Sequence, residues 1–134
     1  MPNGATVELN PSFAKAAAGK PEILERIGEV VANAAIAVSV GVEEFRDGGL
    51  TGATRAQVGG LFVQMYQLQQ ATLGELDFNA TARREGKRVL HQRHGASLRA
   101  NFSEAALDAA LDELVDRPLA VLRQMTAVER ARMN

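Results

Sequence analysis

The sequence predicts an all-α protein: an elongated helical bundle of about four helices, two long and two short, behind an N-terminal arm. Two observations carry this prediction. Apolar residues recur at steps of three and four along the chain, the spacing of a helix face. Pro, Gly, Ser and Thr also stand where such segments should begin and end. A third observation works by exclusion. Only "ATVEL" and "LFVQMY" offer alternating apolar character elsewhere, too little to build a sheet. The expected division is residues 1–20 as arm or short helix and 21–134 as one helical domain.

In "NPSFAKAAAGKPE", Asn10 is the expected N-cap, Pro11 the first helical position and Gly19 the stop. Pro21 then opens the first long helix, with Glu22 and Glu25 in its first turn, where the helix dipole favours negative charge. From there Leu24, Ile27, Val31, Ala34, Val38, Gly41 and Phe45 form an unbroken seam. The stretch "ANAAIAVSVGVEEF" also fits a strand, because Ile36, Val38, Val40 and Val42 alternate. Length decides for a helix over 21–47, since a lone strand would have no partner. Gly28 with Ala32, and Ala37 with Gly41, make two small-residue ridges that let another backbone come close. These ridges face the third segment of the same chain or, in part, a second copy.

"RDGG" ends that helix, and Thr51 or Thr54 caps the next. A long segment is expected from about 55 to 94, closed by Gly95, with Gly59, Gly60, Gly74 and Gly86 inside it. Each glycine costs about 1 kcal/mol against alanine in a helix, so a break is expected near "LGELDFNAT". Ser103 caps "EAALDAALDELV", which turns Leu107, Leu111 and Leu114 inward. Asp116 and Pro118 are expected to stop it and start a last helix with Leu119, Leu122 and Met125 inside.

Composition narrows the function. With 134 residues the chain is expected to form one domain. Its apolar share includes 23 alanines but only five Phe, one Tyr and no Trp. A core of such small side chains makes association with other subunits an expected source of buried area. The absence of cysteine excludes disulfides, thiolate metal sites and a thiol nucleophile. The longest apolar run, Ile27 to Val42, has 16 residues interrupted by Glu29 and Asn33, too few for a membrane span. Residues 1–20 lack a basic start followed by an apolar core, so no secretion signal is expected. The expected location is the cytoplasm or a virion or other assembly.

The most polarised stretch is "ARREGKRVLHQRHGASLR", where residues 81–102 carry six basic side chains and one acid, a balance of +5. Arg83, Lys87, His91 and His94 share one helix face, and Arg84 and Arg88 an adjacent one. Residues 103–116 carry −5, so the adjacent blocks are expected to neutralise each other through pairs of Arg84, Lys87 and Arg88 with Asp108, Asp112 and Glu113. Left unpaired, the basic helix 83–99 would suit an anionic partner such as nucleic acid. "HQRH" sets two imidazoles three residues apart, but the cations around them disfavour a metal, and none is expected. "DGGLTGATRAQVGG" lacks the Lys-Ser/Thr of a phosphate loop and reads as a connector. Gln57, Gln64, Gln67, Gln69 and Gln70 crowd one helix, either bridging to neighbouring helices or forming an uncharged solvent face.

No nucleophile elbow or HExxH is present among these residues. The expected function is therefore a non-enzymatic assembly or adaptor protein, an oligomeric component of a larger bacterial or phage complex, with no cofactor. Ile27, Val31, Ala34, Val38, Phe45, Gln64 and Gln67 are its expected interface. A nucleic-acid-binding regulator using the basic helix, and a small helical enzyme, are the alternatives.

Overall fold

The computed structural model describes residues 21–133, so the arm over 1–20, with its Asn10 cap, lies outside the described residues. Four helices follow one another, α1 (Pro21–Asp47), α2 (Gly52–Ala71), α3 (Phe78–Arg99) and α4 (Glu104–Met133), with no strand among the described residues. The seam's helical reading of 21–47 is what is observed. α1 is the hub: it packs against each of the other three helices, while α3 also packs on α4 and α2 touches α4 more lightly. Being covered from three sides, α1 buries more than its seam. Val30, Ala32, Ala35 and Ala37 join Ile27, Val31 and Ala34 in the core.

The small residues act where the sequence placed them. A Cβ built on Gly28 would lie 2.8 Å from the Glu85 carbonyl oxygen, and one on Gly86 would lie 2.7 Å from Val31 Cγ1. α1 and α3 therefore meet glycine against helix at two points, closer than any side chain would permit. The neighbour is the same chain.

The turn after α1 is fastened by Glu44. Gly48 and Gly49 adopt φ of 148° and 136°, and the Glu44 carboxylate accepts from the Thr51 N–H at 3.0 Å and the Thr54 hydroxyl at 2.7 Å. These bonds hold its pKa below the usual 4.5, the Thr51 backbone bond contributing most. Thr51 is the N-cap of α2, accepting from the Thr54 N–H at 3.2 Å. The expected break falls at residues 72–77, where Gly74 takes φ 82° and Asp77 caps α3.

Two boundaries differ from expectation. Gly95 does not close α3; it is buried inside the helix, which runs four residues further. Pro118 does not separate two short helices, because α4 passes through it unbroken. Proline lacks the N–H that would bond the Leu114 carbonyl, a local cost of about 3 kcal/mol. Here Val115, Pro118, Leu119 and Leu122 are all fully buried, and burying such side chains at roughly 1.5–3 kcal/mol each offsets that cost. Four helices are thus present among the described residues, with lengths of 27, 20, 22 and 30 residues rather than two long and two short. Met125 is exposed, unlike Leu119 and Leu122.

Candidate functional site

The expected interface divides once it is placed in the bundle. Ile27, Val31 and Ala34 are 0, 0 and 1% exposed in the chain's own core. They pack against the chain's own helices and are not presented at its surface; the seam spacing marks burial but not what does the burying. Val38 is half-buried and Phe45 is 73% exposed. Gln64 accepts from Arg26 of α1 at 3.1 Å, while Gln67 is exposed. Gln69 accepts from the Thr126 hydroxyl of α4 at 3.2 Å, so two of the five glutamines bridge helices inside the chain.

The outer end of α1 is where apolar surface remains open. Val38, Gly41, Val42 and Phe45 form one wall of an apolar groove of ≈ 380 Å³. Leu50, Arg55, Val58 and the buried Phe62 bring in the start of α2, and Val121 brings in α4. Phe45, Val42, Leu50 and Val121 are exposed, although a small monomer normally keeps such side chains scattered. From Val121 the apolar surface continues along α4 through Met125 and Val128, at helical spacing of four and three. Gly41, with no side chain of its own, lets Leu50 pack close: a Cβ there would lie 3.2 Å from Leu50 Cδ2. Arg55 is its one charged lining residue, and no acid pairs with it among the described residues.

The basic stripe is largely neutralised from within. Lys87 pairs with Asp108 at 2.7 Å and Asp112 at 3.1 Å, as the opposite charge blocks predicted. The Asp108 hydrogen bond does most to raise its pKa above 10.5. Arg83 pairs with Asp116. Arg84 and Arg88 turn the other way, to Glu85 at 3.1 and 2.8 Å, and Arg88 also reaches Glu25 of α1 at 2.9 Å. Glu113 pairs with Arg117 of its own helix instead of with α3. Glu85 is the buried member, its side chain only 10% exposed. Burial pushes its pKa up, but hydrogen bonds from Arg88 and Arg84, with their charges, bring it below the usual 4.5.

Two shallow depressions of ≈ 450 and ≈ 440 Å³ flank Arg84 and Lys87. His91 lies against Arg99 at 3.2 Å, and His94 is exposed. No group of three metal-ligating side chains gathers among the described residues. Nor is any described helix long and apolar enough to cross a membrane.

The groove was not legible as a unit, because its α4 wall, Val121, lies about 60 residues beyond the α1–α2 hairpin that supplies the rest. The one available signal was Val121, Met125 and Val128, an apolar spacing offset from the buried Leu119 and Leu122. Comparison with protein-family models, curated proteins and solved structures returned no match, so the reading of this surface rests on its own geometry.

Proposed function

We propose that the chain is a non-enzymatic helical assembly or adaptor component that works by contact with other protein subunits through the groove at the outer end of α1. One observation carries this reading: Phe45, Val42, Leu50 and Val121 stand in water around an apolar groove. Burying such a surface is worth about 25 cal/mol per Å², and its exposure is a standing cost unless a partner covers it. The basic stripe supports a nucleic-acid role less well, because five of its six cations already face an acid.

The test is the binding of 1-anilinonaphthalene-8-sulfonate at about 1 μM chain, read beside light scattering up to roughly 100 μM. The dye is expected to bind the dilute chain and to be lost in the Val42→Ser/Phe45→Ser double variant. A chain that excludes the dye and stays monomeric throughout would overturn the reading.

A further inference from the structure

We infer that the occupant of the groove is a second copy of this chain, in a twofold pair in which Phe45 of each copy enters the groove of the other. The inference rests on the assembly reading and names its partner.

Three features of this surface select a second copy. The first is shape. Phe45 is a projecting ring, 73% exposed, and it stands at the edge of the groove. Knob and hole lie on one patch, so the patch is complementary to itself, which is what a twofold interface requires. A surface bearing only a hole would call for a different partner.

The second feature is charge. Phe45 lies in "VEEFRD", where Glu43, Glu44 and Asp47 outweigh Arg46, at the C-terminal and therefore negative end of α1. The groove supplies Arg55, which has no acidic partner among the described residues. Inserting the acidic end of one α1 beside Arg55 of the other copy joins opposite charges, and the twofold axis repeats that match. Arg55 then supplies the opposite charge at each insertion point.

The third feature is extent. The exposed side chains of the groove, with Met125 and Val128 beyond Val121, form a small apolar patch, and a pair joined through it would bury at most about 1,000 Å² in total. That is the lower bound for a specific interface, so the pair should form at micromolar concentrations and separate on dilution. A large permanent oligomer does not fit an area of this size.

The test separates the knob from the hole. Phe45→Ser removes the knob, and Val121→Phe fills the hole from its α4 wall. Both positions are exposed, so both variants should keep the wild-type helical signal and melting temperature within a few degrees. Sedimentation velocity from about 1 to 200 μM is expected to show wild-type chain passing from monomer to dimer, and each variant weakening the dimer about a hundredfold. An equimolar mixture of the two variants retains one of the two insertions. It should therefore associate more tightly than either variant alone and less tightly than wild type.

Wild-type chain that stays monomeric, association unaffected by either variant, or a mixture no tighter than its components would each overturn the inference. The assembly reading fails separately. A monomer that still binds the dye through the groove leaves that reading standing with a different protein as partner. A monomer that excludes the dye removes both.

Discussion

Gly28→Ala tests the close approach on which the bundle is built. The added carbon would sit 2.8 Å from the Glu85 carbonyl oxygen and 2.9 Å from Val89 Cγ2, where ordinary contact begins at 3.4 Å. Val89 is fully buried, and the carbonyl belongs to the backbone of α3. Neither can rotate aside, so the two helices must move apart. Overpacking of this kind costs about 1–3 kcal/mol. The exchange of a helical glycine for alanine returns about 1 kcal/mol. With backbone as the obstacle the cost lies toward its upper end, leaving a net loss of about 1–2 kcal/mol. Gly60→Ala isolates the opposing contribution, because nothing lies within 4 Å of its added carbon. That variant should gain up to about 1 kcal/mol. Urea unfolding of the two variants beside wild type should place them on opposite sides of it, with melting temperatures roughly 10 °C apart. If Gly28→Ala matches or exceeds wild-type stability while Gly60→Ala shows its gain, α1 and α3 do not approach as described.

Glu85 carries an acid-dependent contribution. Its pKa is lower in the fold than in the unfolded chain, so its stabilisation is present above about pH 4.5 and is lost as pH falls through the folded value. Glu85→Gln should cost about 1–2 kcal/mol at neutral pH and flatten the acid side of the stability profile; an unchanged acid limb would contradict the ion-pair account. Pro118→Ala restores a backbone hydrogen bond worth about 3 kcal/mol in propensity and removes two buried methylenes worth roughly 1.6, so thermal unfolding should show a net gain near 1 kcal/mol. A loss above about 2 kcal/mol would mean that the ring's packing dominates. The triple variant Arg84→Gln/Lys87→Gln/Arg88→Gln should lower stability by at most a few kcal/mol, since exposed pairs contribute about 0–1 each. Fluorescence anisotropy should show no nucleic-acid affinity at physiological salt to lose, and submicromolar binding abolished by the variant would revive the regulator reading.

What the sequence disclosed follows the reach of its signals. α1 was legible from end to end because seven seam positions, a starting proline and a closing glycine pair agree over 27 residues. The break before α3 was legible because glycines weaken a helix there, and the structure puts Gly74 at a positive φ that a helix does not supply. Pro118 was misread because its cost is local while the burial that offsets it comes from other helices. The segment over 55–94 divides at its expected break and the two segments around Pro118 fuse, which leaves four helices among the described residues. Among site residues, Lys87 met its predicted aspartates because they are carried on the adjoining helix, whereas Arg88 found Glu25, 63 positions away, which no local spacing announces.

The hub position of α1 also governs how the chain can be made. It is the first of the described helices to leave the ribosome, yet the residues that cover it arrive last. Gly86 of α3 and Val115 of α4 come together against Val31. Until α4 is made the growing chain carries a helix with apolar residues on several sides and only α2 and α3 to shield it. A nascent chain arrested before α4 would leave Ile27, Val31 and Ala34 partly in water, an adhesive species dependent on chaperones. α4 is therefore the element whose docking completes the cover over the hub helix, although it stands last among the described helices.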